Sequence, residues 1–300
     1  VHRFHCKSEE DVMEKAGEAD AVLCDLAPLS RRVLLHLKRA RVIAEYGIGY
    51  DNIDVKAASE RGIIVCNAPD FLTYEVADHT VSLILALVRK IPWIYVSTKG
   101  GEWNWEKFKP IQNLDGKTVG IIGFGRIGRQ VAERLGAFKV RIVAYDPYVP
   151  RELTRQLKVE PLDLDALLRE ADIVTVHTAL TEETKHLIGE GELKLMKKSA
   201  VLVNAARGAI IDQRALYKAL KNGWINAAAL DVLEKEPPSA DEPLLKLENV
   251  IVTPHIAWYS EKSALRLQRI PAEEVARVLT GERPKHPVNP EILQKITNKA

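Results

Sequence analysis

Gly123, Gly125 and Gly128 fall in a Gly-x-Gly-x-x-Gly spacing within Val119-Gly-Ile-Ile-Gly-Phe-Gly-Arg-Ile-Gly128. Such glycines permit a tight turn, let backbone approach a pyrophosphate, and allow a helix to pack closely on a strand. The spacing alone is weakly specific, since a purely structural Gly-rich turn reads the same way. Its context is more telling: a strand pattern, Val119–Ile122, precedes the glycines and a helical pattern, Arg126–Ala137, follows them. The next strand pattern ends at Asp146, about 18 residues past Gly128, where a carboxylate could bind an adenosine ribose. A carboxylate there repels a 2′-phosphate, and no Arg stands in Pro147-Tyr148-Val149-Pro150, so NAD is favoured over NADP.

Polar residues recur where later strand patterns end: Thr178 after His177, Arg207 after Asn204-Ala205-Ala206, Asp231 after Leu230, and His255 after Thr253-Pro254. In a parallel sheet those ends share the edge where ligands bind. Arg207 lies in a turn, where a guanidinium could grip a carboxylate bidentately and point at an adjacent carbonyl oxygen. A surface ion pair with Asp212 is the plainer alternative. Taken singly, His255 reads equally well as a satisfied core histidine, and Glu236 as a solvated loop acid. Taken together, the three supply a carboxylate binder, a proton donor and an acid able to support it.

The elements that must position these groups alternate strand and helix, which argues for parallel sheets with crossover helices. Strand patterns fall at Ala21–Asp25, Arg41–Glu45 and Gly62–Cys66, with helices at Ser8–Ala16 and Ser30–Ala40. A long helical pattern runs from Thr73 to Ile91, where Pro92 breaks or kinks it, and Lys99–Leu114 reads as an irregular aromatic connector. A second series follows: strands at Val119–Ile122, Val140–Tyr145, Ile173–His177, Ala200–Asn204, Asn226–Leu230 and Val250–Thr253. Helices at Leu162–Glu170 and Gln213–Asn222 fit between them, and Glu261–Leu279 closes the chain. The expectation is α/β: two doubly wound lobes, one of residues 1–91 with 261–300, the other of residues 92–260.

A chain of 300 residues with 46% hydrophobic and 28% charged residues is globular and large enough for two domains. A net charge of +2 argues against a nucleic-acid-binding surface spread over the protein, and the Arg31-Arg32 and Lys38-Arg39 pairs read as a solvated helix face. Three scattered cysteines without a CxxC pair predict no disulfide framework and no metal site. The longest apolar stretch, Val81–Val88, is far short of the roughly 20 residues that span a bilayer. Without a signal peptide or initiator Met at its opening residues, the protein is expected to be cytoplasmic, and Val1 need not be its biological start.

Five linked segments resemble the D-isomer-specific 2-hydroxyacid dehydrogenases: Gly123–Gly128, Asn204-Ala-Ala-Arg-Gly208 with Asp212, Asp231-Val-Leu-Glu-Lys-Glu-Pro237, Thr253-Pro-His-Ile256, and Gly47-Ile-Gly-Tyr-Asp-Asn-Ile-Asp54. The resemblance implies a Rossmann NAD domain and a smaller flavodoxin-like substrate domain built from both chain ends, with the active site in their cleft. It also implies a homodimer paired through the NAD domains. Arg207 would bind the substrate carboxylate and polarise the 2-oxo group, His255 would exchange the proton, and Glu236 would orient His255. Asp231, Ala205 and Ala206 would hold the nicotinamide end, and His177 and Thr178 would line the adenosine side. Thr80, Arg126, Ile127 and Trp258 complete the expected cofactor set. Tyr46, Ile48, Gly49 and Trp258 are expected to meet the substrate alongside Arg207.

Within that resemblance, glyoxylate and hydroxypyruvate are the first candidates. Phosphoglycerate dehydrogenases usually carry Arg where Glu45 stands, and Glu45 is expected to repel a phosphate; the chain's end at Ala300 is read as leaving no appended regulatory domain. Phosphoglycerate is therefore an alternative substrate. An NAD(H)-sensing interaction protein of the corepressor type is the alternative class, disfavoured by the intact Arg207, Glu236 and His255.

Overall fold

The computed structural model describes residues 1–293, so the part of the substrate-lobe expectation covering residues 294–300 lies outside the described residues. Two compact units result: Val1–Leu72 with the described residues from Tyr259 onward, and Thr73–Trp258.

The first unit begins with α1 (Glu9–Ala16), β1 (Ala21–Cys24), α2 (Arg31–His36), β2 (Val42–Glu45), α3 (Val55–Glu60) and β3 (Ile64–Cys66). Its three strands are parallel, in the order β1-β2-β3. Alternation along them feeds two cores. Cys24, Ile43 and Val65 pack against Val12, Val33, Leu34 and Ala57 of the three helices. Val42, Ala44, Ile64 and Cys66 pack on the other face with Val278. Each side chain of a strand points opposite to its neighbour, so one short sheet serves both layers.

The second unit runs α4 (Thr73–Val88), α5 (Ile91–Lys99), β4 (Thr118–Ile122), α6 (Arg126–Gly136), β5 (Arg141–Tyr145), α7 (Arg151–Gln156), β6 (Glu160–Pro161), α8 (Leu164–Glu170), β7 (Ile173–Val176), α9 (Glu190–Leu195), β8 (Val201–Asn204), α10 (Gln213–Lys221), β9 (Ala227–Leu230) and β10 (Val250–Val252). The chain then returns to the first unit through α11 (Glu261–Thr280), which covers β1 and β2. The seven strands of the second unit are all parallel, in the order β10-β9-β8-β7-β4-β5-β6. Every residue of β4, β7, β8 and β9 is buried, as expected of central strands covered on both faces. The order reverses between β4 and β7, and a Rossmann sheet binds ligands at such a switch point, beyond the strand ends.

Three expectations are revised. The first boundary was expected at Pro92, but the compact units divide at Leu72/Thr73. The reason is packing: Ala77, Val81, Ile84 and Leu87 of α4 share a core with Val119, Ile121, Phe124 and Val131. Pro92 does not end the helical segment. It lies in the first turn of α5, where its missing N–H costs nothing, and Lys90 at φ 54° makes the break. Finally, β6 and the short helices α3, α7 and α9 went unread, each too short to show a clear period. Among the described residues, no single helix is long and apolar enough to cross a membrane.

Candidate active site

The β4–α6 turn gives its three glycines separate reasons to be glycine. Gly123 has φ +90°, and a Cβ on it would stand 2.5 Å from the Thr178 nitrogen and 2.6 Å from the His177 carbonyl carbon. A Cβ on Gly128 would stand 2.3 Å from the Gly123 oxygen. Gly125 is different: its φ is −74° and its Cβ would meet nothing within 4 Å. The fold itself does not demand glycine there, and open space over this backbone is what an approaching pyrophosphate uses. Arg126 opens α6 on the exposed side, whereas Ile127 packs partly against the core.

Asp146 accepts from Phe124 N (2.8 Å), Tyr148 N (2.9 Å) and Val149 N (3.2 Å). It therefore ties the end of β5 to the glycine turn, a structural duty not foreseen for it. Two further expected cofactor residues carry orphaned atoms: Thr80 Oγ1 and His177 Nδ1 are buried without a hydrogen-bond partner. His177 Nε2 lies 2.9 Å from Thr175 Oγ1, and burial pushes its pKa down to about 3, so the ring stays neutral. The open Gly125 backbone and these two orphaned groups fit a dinucleotide, because buried polar atoms normally find partners.

The loops after β8, β9 and β10 carry Arg207, Glu236 and His255. Asn204, buried at the end of β8, accepts from Ala206 N (3.0 Å) and donates from Nδ2 to the Arg207 carbonyl (2.9 Å), shaping the turn Ala205–Arg207. The Arg207 guanidinium donates from one terminal nitrogen to the Ala206 carbonyl (3.0 Å). Asp212, the alternative ionic partner, caps α10 by accepting from Ala215 N (3.0 Å). A Cβ on Gly208 would stand 2.0 Å from the Leu233 carbonyl carbon, so the Arg207 turn is pressed against the loop that bears Glu236. Glu236 Oε1 accepts from Leu233 N (2.9 Å), and Oε2 lies 2.6 Å from His255 Nδ1. Burial raises the Glu236 pKa, but His255, the Leu233 N–H and the Arg207 charge outweigh it and hold the carboxyl below its ordinary value. His255 itself is held at φ +52°, a left-handed conformation that costs a non-glycine residue about 1–3 kcal/mol.

Asp231 carries that turn. Its carboxylate accepts from Thr253 Oγ1 (2.5 Å), Ile256 N (3.0 Å) and Ala257 N (2.9 Å), and its carbonyl accepts from His255 N (2.8 Å). His79 of α4 places Nε2 3.1 Å from Thr253 Oγ1. Sequence reasoning missed Asn204, Thr253 and His79 as site residues. Asn204 left a signal, a polar residue at a buried strand end, whereas the partner of His79 lies 174 residues away.

In the first unit, the loop expected to meet the substrate is tied down by its backbone. Tyr46 N donates to Cys24 O (2.7 Å), Ala68 N to Gly47 O (2.8 Å) and Asn67 Nδ2 to Ile48 O (2.7 Å). The expectation that Glu45 repels a phosphate is not supported. Glu45 is 2% exposed, and its Oε2 accepts from Cys24 Sγ (2.9 Å) and Asn52 Nδ2 (3.1 Å). Burial raises its pKa, and its contacts turn the carboxyl inward, where it braces the interior. Trp258, the last residue of the second unit, is half-buried.

Fold and site define a dinucleotide-binding α/β protein with a histidine–carboxylate pair next to an arginine turn. Residues 81–257 match the model of the D-isomer specific 2-hydroxyacid dehydrogenase, NAD binding domain. The chain is 42% identical over 291 residues to the glyoxylate reductase of Korarchaeum cryptofilum, covering 96% of this chain and 88% of that protein. It is 47% identical over 284 residues to the D-3-phosphoglycerate dehydrogenase of Methanocaldococcus jannaschii, covering 94% of this chain but only 54% of that protein, about half its length. Among solved structures, the D-lactate dehydrogenase from Aquifex aeolicus complexed with NAD and lactic acid matches with a TM-score of 0.85 at 31% identity, covering 90% of this chain and 86% of that one. The chain belongs to the D-isomer-specific 2-hydroxyacid dehydrogenase family.

Proposed function

We propose that the protein is an NAD-dependent dehydrogenase that interconverts a small 2-oxo acid and its D-2-hydroxy acid. The observation that carries this reading is the 2.6 Å pairing of Glu236 with His255 on a loop pressed against the Arg207 turn. A bound nicotinamide would supply or take the hydride at the 2-carbon, and the protein's part is binding, orientation and electrostatics. Arg207 grips the substrate carboxylate and draws electron density toward the 2-oxo oxygen. His255 donates the proton from Nε2 to that oxygen during reduction and takes it back during oxidation. Glu236 holds Nδ1 and stabilises the charge that the ring carries between those events. Tyr46, Ile48 and Gly49 of the first unit, and Trp258, are proposed substrate contacts. Asp146, at the end of β5, supports a preference for NAD over NADP.

Glyoxylate and hydroxypyruvate are the proposed substrates. 3-Phosphohydroxypyruvate is the second reading, favoured by the 47% identity to a phosphoglycerate dehydrogenase and by the inward-facing Glu45. NADH oxidation is measured with glyoxylate, hydroxypyruvate, pyruvate and 3-phosphohydroxypyruvate, with NADPH in parallel. The highest kcat/KM is expected for one of the first two acids with NADH. A highest value for the phosphorylated acid would establish the second reading, and turnover of none would contradict both.

A further inference from the structure

Three side chains behind the His255 turn form a chain of hydrogen bonds with a direction. Asp231 is 1% exposed, and its carboxylate takes two backbone N–H groups of the turn, those of Ile256 and Ala257. A carboxylate only accepts, so across the 2.5 Å contact the single hydroxyl hydrogen of Thr253 goes to Asp231 Oδ1. Thr253 Oγ1 then has only lone pairs to offer His79 Nε2, 3.1 Å away. The His79 Nε2 must therefore carry a hydrogen. The same ring nitrogen stands 3.6 Å from Asp231 Oδ1, so its N–H dipole also favours the buried carboxylate.

We propose that His79 is a positioning residue for the reaction: through Thr253 it holds the Asp231 carboxylate and, with it, the left-handed turn that presents His255. The proposal rests on the dehydrogenase reading above. His79 lies on α4 and Thr253 immediately follows β10, so the relay also fixes α4 to the strand end that carries the proton-transfer group. Hydrogen bonds that polarise one another in a low-dielectric interior are worth more together than apart, and breaking one link leaves the next group underpaired.

Two arms test it on the full chain. In the first, long-range proton–nitrogen NMR of protein labelled with 15N-histidine reads the tautomer of His79, its resonance identified by its loss in His79→Gln. The Nε2–H form is expected, and an Nδ1–H form would overturn the relay. In the second, kcat and NADH affinity are compared in His79→Leu, Thr253→Val and the double variant. Each single substitution is expected to lower kcat about tenfold, the scale of one lost hydrogen bond in a charged network, while NADH affinity moves less. The double variant is expected to match the worse single within about twofold, because the relay is already broken. His79→Gln, which keeps an N–H at similar reach, is expected to recover most of what His79→Leu loses. Additive losses, or no rescue by glutamine, would overturn the positioning role. A wild-type protein without turnover would defeat the dehydrogenase reading instead, and the NMR arm would still decide the relay.

Discussion

The Glu236 carboxyl is raised by burial and pulled down further by His255, the Leu233 N–H and the Arg207 charge, so its net pKa lies below the ordinary carboxylate value. An ionised Glu236 accepts, and His255 Nδ1 must therefore donate, which leaves Nε2 as the ring nitrogen available for the proposed proton exchange. Glu236→Gln keeps the size of the side chain and removes this constraint, and kcat should fall by about 10²–10⁴-fold, as when a histidine loses its orienting carboxylate. NADH affinity, read by fluorescence titration, should change little. The sign of the linkage follows from the lowered pKa. The stabilisation from Glu236 is present above its unfolded value and is lost as pH falls through the lower folded value. Arg207→Ala should abolish turnover and leave NADH binding largely intact; loss of NADH binding would contradict its assignment to the substrate. Arg207 and His255 stood out in the sequence because they follow strand patterns, whereas Glu236, a loop acid, gained a role only in combination with them. Asn204 left only the signal of a polar residue at a buried strand end, and His79 left none, since its meaning comes from the hydroxyl that folding brings to it.

At the scale of elements, the β4–α6 turn separates what the fold needs from what a ligand needs. Gly128→Ala would drive a Cβ to 2.3 Å from the Gly123 carbonyl, and a destabilisation of about 1–3 kcal/mol is expected from chemical denaturation. Gly125→Ala meets no protein atom within 4 Å, so stability should stay within about 0.5 kcal/mol while NADH affinity falls. Equal loss of stability in both variants would contradict the division of roles. The end of β7 makes a second prediction. His177 has a pKa of about 3 when folded, against 6.5 for the unperturbed side chain. Between those values the unfolded state binds a proton that the folded state refuses, so stability falls as pH drops, by at most about 1.4 kcal/mol per pH unit from this residue. Denaturant melts of His177→Asn at several pH values should show that part of the slope removed. Strand positions were legible because buried parallel strands are short continuous apolar runs bounded by polar residues. The two-residue β6 and the helices α3, α7 and α9, six residues each, showed no clear period, and Pro92 reads as a stop or a start depending on whether a helix follows it.

At the scale of the whole molecule, the two units come from an interrupted chain, with α11 returning to the first sheet after the second is complete. The alternation of elements made both sheets legible, but the first boundary was not, because α4 reads as a helix wherever it packs and only its shared core with β4 and α6 assigns it. The second unit exposes Tyr95 and Val96 of α5, with Trp103 at 93% and Trp105 at 68% exposed. Large apolar side chains clustered in one chain segment favour burial against a partner, and we propose that the homodimer implied by the resemblance buries this segment. Sedimentation should give a dimer for the wild type, shifted toward monomer by Trp103→Glu with Val96→Glu; a monomeric wild type would contradict the pairing. The central claim is that Arg207, Glu236 and His255 reduce a 2-oxo acid with NADH. It is tested most directly by NADH oxidation with glyoxylate or hydroxypyruvate in wild type and His255→Ala, alongside NADH binding by fluorescence. Turnover in the wild type, lost in His255→Ala while NADH still binds, is the predicted result. Tight NADH binding by the wild type without turnover of these two acids, pyruvate or 3-phosphohydroxypyruvate would contradict it and point to a protein that senses the cofactor.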